Sequence, residues 1–253
     1  SASSNNSAFG DSALINLTSG SYNVAVGDNA GSQSTTGSSN CCVGSYALSN
    51  NTTGYHNVAV GASAVISNVS GISNVGIGSA ALSNNTTGNG NTAVGYTALT
   101  ENTDASNNCA YGYAALYFNT SGDSNCGFGS GALDDNRLGS HNSAFGNNAL
   151  YGARGDYNIG IGGGDFGGSL IVTGSNNICI GNAGCFNDDK LIRLGTSTTH
   201  TSCFIAGIRG VTPNVQGDLL PVVIDENGQL GSIAPSHMDI ILASNAQRLS
   251  KSE

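Results

Sequence analysis

Seven cysteines, four histidines and two adjacent aspartate pairs are the side chains of this chain with an obvious capacity for chemistry. Cys41, Cys42, Cys109, Cys126, Cys179, Cys185 and Cys203 contain no Cys-x-x-Cys spacing and so outline no zinc site. His56, His141, His200 and His237 share no metal-ligand spacing. Asp134-Asp135 and Asp188-Asp189 are the pairs that glycoside hydrolysis would need. They fall in turn-like sequence, where Asp is ordinary turn chemistry. Gly160-Ile161-Gly162-Gly163-Gly164-Asp165 is glycine-rich like a phosphate loop, but no helix is expected to follow it. The expectation is a chain with no catalytic residue, no metal and no cofactor.

Composition narrows the classes further. Charged residues make up 9 % of the chain, against roughly 25 % in an ordinary soluble domain. Seven Lys and Arg within a net charge of −9 cannot build the basic face of a nucleic-acid binder. No apolar run approaches the ~20 residues of a membrane helix, so no membrane insertion is expected. Ser1-Ala2-Ser3-Ser4-Asn5-Asn6 has neither the basic start nor the apolar middle of a signal peptide.

What must position these residues is a repeat. Pentads such as Asn23-Val24-Ala25-Val26-Gly27 begin at Asn6, Asn23, Asn40, Asn57, Asn74, Asn91, Asn108, Asn125 and Asn142, eight identical steps of 17 residues. Looser copies begin at Asn158 and Asn177, making eleven. With Asn as position 0, position +2 is always small and +4 is always Gly. Position +3 is always large and apolar: Phe9, Val26, Val43, Val60, Ile77, Val94, Tyr111, Phe128, Phe145, Ile161 and Ile180. Position +7 is Ala in the nine strict copies, +8 is mostly Leu, and +14 is Gly from Gly20 to Gly139 except at Ala105.

A short β-branched or apolar run closed by Gly reads as a strand, and Asn-Thr-Thr-Gly at 51–54 and 85–88 reads as a turn. Each copy is therefore expected to hold two short strands and two turns. Rungs stacked at about 4.8 Å give an all-β parallel solenoid roughly 50 Å long. The position-0 asparagines, Asn6 through Asn142 with Asn158 and Asn177, should form a ladder of side-chain amides bonded above and below.

Side chains alternate across a strand, so +1 and +3 face one way and +2 the other. Both sides are apolar, and one coil has one inside. If the small +2 residues and Ala at +7 fill it, the +3 stripe points outward and needs other chains to bury it. An obligate oligomer follows, with the +3 residues packed between chains or within the roll.

The pentads Asn-Val-Ala-Val-Gly and Asn-Thr-Ala-Val-Gly, followed by Ala-Leu and Asn-Asn-Thr-Thr-Gly, resemble the head repeats of trimeric autotransporter adhesins. They are still more similar to related repeats of phage and viral tail fibres. The resemblance covers about residues 5–189 and implies a homotrimeric left-handed β-roll; it is the resemblance that selects three chains. It also implies a non-enzymatic fibre shaft or attachment module, on a virion or at a cell surface, with a host surface glycan or receptor as partner. A bacterial trimeric adhesin or extracellular filament is the alternative, and a polysaccharide-depolymerising spike the less favoured one.

Residues 190–236 are expected to form a small β-rich cap. Cys203-Phe204-Ile205-Ala206-Gly207-Ile208-Arg209-Gly210 and the run Pro221 to Gly231 resemble the segment before an endosialidase-type intramolecular chaperone. The 17 residues after Ser236 hold no motif of that chaperone, and no catalytic residue is carried over. Asn227-Gly228 between Val222–Ile224 and Gln229–Ile233 predicts a hairpin. Residues 237–253 are expected to form a tail, and the pattern over 239–249 is compatible with a short helix.

Four further readings complete the sequence. Sequons at Asn16, Asn51, Asn68, Asn85 and Asn119 coincide with turns. Thr18, Thr35, Thr52, Thr86, Thr103 and Thr120 share position +12, but Val69 and Arg137 interrupt the array that ice binding would want. Cys109 and Cys126 share +1 on consecutive rungs with parallel Cβ vectors, which favours thiols over a disulfide. Gly163-Gly164-Asp165 resembles a calcium β-roll motif but lacks the tandem copies that such rolls use.

Overall fold

The computed structural model describes residues 4–196, His200, 222–224 and 230–232. Contacts divide the chain into two units, Ser1–Thr201 and Ser202–Glu253. The first is a parallel β-solenoid. Its strands are β1 (Ser7–Phe9), β2 (Val24–Val26), β3 (Cys41–Val43), β4 (Val58–Val60), β5 (Val75–Ile77) and β6 (Thr92–Val94). They continue as β7 (Cys109–Tyr111), β8 (Cys126–Phe128), β9 (Ser143–Phe145), β10 (Ile159–Ile161), β11 (Ile178–Ile180) and β12 (Ile192–Leu194). All twelve pair in sequence order as one sheet. The register matches like with like, Ala8 against Ala25 and Phe9 against Val26. In the second unit, β13 (Val222–Ile224) and β14 (Leu230–Ser232) pair antiparallel, as the predicted hairpin requires. The rest of the expected cap beyond Thr201, and the helix over 239–249, lie outside the described residues.

Two expectations need correction. The solenoid does not stop at Asp189: β12 pairs in register with β11 through Ile178 and Ile192, so the sheet enters the stretch assigned to the cap. Nor does each rung hold two regular strands. After the strand the chain runs through turns, because residues at +6 and +8 are left-handed; Leu116 has φ 54° and Ala114 φ 52°. Extended backbone cannot pass through such residues. The rungs stay bonded there all the same. Leu116 N donates to Ala132 O of the next rung and Ala114 N to Tyr96 O of the previous one.

The left-handed conformation costs a Leu about 1–2 kcal/mol. Full burial of its side chain returns about 1.5–3 kcal/mol. The +8 leucines at 48, 82, 99, 116, 133 and 150 are fully buried, so burial wins, and Leu rather than Gly holds most of these sites. The interior is built from these leucines, Ala at +7 and small residues at +2.

Size is traded between +8 of one rung and +2 of the next. Gly31 stands where Leu is usual, and the larger Cys42 faces it; a Cβ on Gly31 would lie 3.1 Å from the Cys42 sulfur. Where the β-branched Val65 stands at +8, +2 shrinks to Gly76, whose added Cβ would lie 2.5 Å from a Val65 methyl. Gly76→Ala is therefore expected to cost about 1–3 kcal/mol. Adding Val65→Ala should reduce the extra cost of Gly76→Ala, which a double-mutant cycle of urea midpoints would read.

Two asparagine columns run up the interior, and they differ. At position 0 the side-chain oxygen accepts the main-chain N–H of the next asparagine, as Asn23 Oδ1 does from Asn40 N at 2.9 Å. The Nδ2 donates across the rung to the carbonyl at +14, as from Asn57 to Gly71. The expected amide-to-amide bond occurs in this column only between Asn6 and Asn23 and between Asn158 and Asn177. The reason is that the strand holds successive main chains close enough for the side chain to cap the next N–H. The true amide ladder stands at +11, through Asn51, Asn68, Asn85, Asn102, Asn119 and Asn136. Each +11 Nδ2 also donates to the +14 carbonyl of its own turn, so Gly54 O accepts from both Asn40 and Asn51. Asn108 is an exception, with its buried Nδ2 unpaired.

Candidate functional site

The solenoid's most extended surface feature is the outer face of its sheet. Along β2–β11 the central +2 residue is buried in every strand, and the flanking residues are not. Val26, Ile77, Tyr111, Phe128, Phe145, Ile161 and Ile180 are each 36–42 % exposed, and Phe9 at the end is 78 % exposed. Within one chain the +3 residues therefore do not pack in the roll; that half of the expectation is overturned, because +2, +7 and +8 already fill the interior. They stack on one another instead. Tyr111 lies 4.9 Å from Phe128, and Phe128 lies 5.4 Å from Phe145, with planes within 8°. The in-register sheet fixes this, since each +3 residue sits directly over the last.

Cys41, Cys109 and Cys126 stand beside that stripe at +1, half-buried and free. Burial raises the thiol pKa of both Cys109 and Cys126, which stand opposite each other on adjacent strands. Cys42 and Cys179 face the interior, where burial pushes their thiols up to about 12 and about 11. Cys185 is exposed, and Cys203 lies outside the described residues.

The acidic pairs are engaged in the fold. Asp188 is only 5 % exposed and takes two bonds from Arg193, at 2.6 and 2.7 Å, and one from the main chain of Cys185. The bonds from Arg193 hold its carboxyl below the usual range, against burial, which opposes them. Asp189 caps the main-chain N–H of Ser175. That bond continues a third column, in which Ser106, Asp123, Ser140, Asp156 and Ser175, each two residues before the next position-0 asparagine, cap the rung before. Asp135 binds Arg137 and Arg154. Burial alone would raise its pKa, but the two guanidiniums outweigh that and hold it low. Burial raises the pKa of Asp134, although the nearby Tyr151 hydroxyl pulls the other way.

The Asp188–Arg193 clasp gives the end of the solenoid an acid limit. A lowered carboxyl pKa contributes stability above the unfolded value of about 3.9, and loses it as pH falls through the lower folded value. Protection factors of the β11 and β12 amides, corrected for the intrinsic exchange rate at each pH, should therefore be flat for this group from neutrality down to about pH 4 and fall below it. Asp188→Asn should speed exchange already at neutral pH and flatten that acid dependence.

Other candidates fall apart in space. His56 packs edge-on against Tyr55, His141 stacks on Tyr157, and His200 accepts from Thr196 N; His237 lies outside the described residues. Gly160 and Ile161 belong to β10, and a single 3-10 turn, Gly164–Phe166, follows rather than a full helix. Among the described residues no three His, Cys, Asp or Glu group to hold a metal. The +12 threonines spend their hydroxyls on the next rung's carbonyl, as Thr35 does on Thr52 and Thr120 on Arg137. The sequons at Asn51, Asn68, Asn85 and Asn119 are fully buried in the amide ladder, so turn phase misled; their side chains point in, and only Asn16 of those five is exposed. Periodic Asn at +11 was the missed signal.

No family model, curated protein or solved structure matches the chain.

Proposed function

We propose that this chain is a non-enzymatic shaft or attachment segment of a fibre, similar in kind to phage and viral tail fibres and trimeric autotransporter adhesins. The observation that carries the reading is the half-exposed apolar stripe running along a rod whose interior is already full. Three chains, each a left-handed roll, would bring equivalent +3 residues to one axis and leave no open face. The work is geometric: a stiff rod holds a binding surface away from a virion or cell, and three copies turn weak contacts into avidity. Asp135 and Asp188 are both neutralised by arginines, so neither acidic pair offers two free carboxyls to hydrolysis, which supports the non-enzymatic reading over a depolymerising spike. Light scattering at micromolar concentration should give the mass of three chains, and host polysaccharide should keep its length on incubation. A mass of one or two, or a shortened polysaccharide, would overturn the corresponding half.

A further inference from the structure

On the turn side of the rod, one stretch breaks the chemistry of the repeat. Position +5 is Ser45, Ser79 and Ser130 on three rungs, but Tyr96 and Tyr113 on two consecutive ones. Position +9 is Ser32, Ser49 and Ser83 on three early rungs and Ile15 and Ile66 on two others, but Tyr117 on the rung of Tyr113, with Phe118 next to it. These four rings and Asp134 line a shallow trough of about 450 Å³. Tyr96 and Tyr113 stack at 5.8 Å with planes 15° apart and stay more than half exposed. Tyr117 and Phe118 meet edge to face at 4.6 Å. A solenoid gains nothing in its own core from rings placed here, since the interior is filled by +2, +7 and +8.

The polar side of the trough is specific. Asp134 Oδ1 is buried with no hydrogen-bond partner. An unpaired buried acceptor is costly, so a turn of the Asp134 carboxyl toward a donor seated in the trough is favoured. The local charges balance only when Asp134 is counted: Asp135 is shared by Arg137 and Arg154, and Arg137 also lies 5.4 Å from the centre of the Phe118 ring. An anionic ligand would have to compete with Asp135 for both guanidiniums. A cationic ligand is held best by rings that enclose it; here the rings form an open row. What fits is a ligand with flat C–H faces for the rings and neutral O–H or N–H donors for one carboxyl.

We propose that the trough is a lateral subsite for a neutral saccharide, seated on Tyr96, Tyr113, Tyr117 and Phe118, with one hydroxyl or acetamido N–H donated to Asp134. The biological use of the subsite rests on the attachment reading above; its existence does not.

The full chain is titrated by calorimetry with chitotriose, cellotriose and maltotriose, and with tetramethylammonium as a cation probe. At least one trisaccharide should bind, and more tightly than the cation. Tyr113→Ser and Tyr117→Ser should each weaken that binding about five- to tenfold. Both variants put at +5 or +9 a serine that other rungs already carry, so the fold should hold, and far-UV dichroism checks it. Tyr46→Ser, on a distant rung, should leave binding unchanged. No binding by any of the three sugars, tighter binding of tetramethylammonium, or binding undiminished in both variants would overturn the subsite. Scattering mass reads the assembly separately, so a failed trimer and a failed subsite give different results.

Discussion

Phe128→Asp is expected to leave the rod folded and to abolish its assembly. In the single chain Phe128 is 36 % exposed and stacks between the rings of Tyr111 and Phe145. Its strand is held by main-chain bonds, and its inward neighbour is Gly127, so an Asp there meets water rather than core. In the proposed trimer the same change places an uncompensated carboxylate from every chain on one axis. Burying an unpaired charge costs several kcal/mol, and three of them repel one another besides. Light scattering should drop from the mass of three chains to one, while the far-UV spectrum keeps its β-solenoid form. Phe128→Leu should keep the trimer. A trimer that survives the charge would show that the stripe lies elsewhere than at the interface.

Gly112→Ala is expected to be among the most destabilising single methyl additions in the rod. Gly112 sits at +4 with φ +137°, where side chains are rarely found. A Cβ there would lie 2.5 Å from Gly129 O and 2.6 Å from Gly129 C. Those atoms are main chain of the next rung, so relief requires the rungs to part and the ladder to open. Strain of about 1–3 kcal/mol adds to overpacking of about 1–3 kcal/mol. Against the ~5–15 kcal/mol of an ordinary domain, such a loss is large. Gly164→Ala is the control: φ is +59°, but nothing lies within 4 Å of the added atom. It should cost about 1 kcal/mol, the left-handed penalty alone. Urea midpoints of the two variants separate strain from collision, and equal midpoints would remove the role assigned to close rung stacking.

Much of this architecture was legible before any coordinates. A strict period of 17 with Gly at +4 and a small residue at +2 leaves little besides stacked parallel rungs. The in-register pairing of like residues follows from the period itself, and Asn227-Gly228 marked the hairpin of Val222–Ile224 with Leu230–Ser232. Parity also told that +3 would face out once +2 and +7 faced in. The size exchange between Val65 and Gly76, or Gly31 and Cys42, is written in the sequence too, but it has meaning only once +8 of one rung is known to meet +2 of the next.

Tertiary structure alone assigned the asparagines and the aspartates. Asn-Thr-Thr-Gly is turn chemistry in one dimension; whether its Asn looks out to a glycosylating enzyme or in to an amide ladder depends on the sign of the bend, which composition does not carry. Leu at +8 shows the same limit, because helix, strand and left-handed turn all accept a buried Leu, and the gain from burial overrode backbone preference. The aspartates diverged for a similar reason. Asp135 and Asp188 met guanidiniums brought from other points in the chain, Asp189 met an N–H one rung away, and Asp134 met a row of rings and was left with an unpaired oxygen. A repeat determines which residues share a column; which neighbour each side chain bonds is set by how the turn folds the columns against one another.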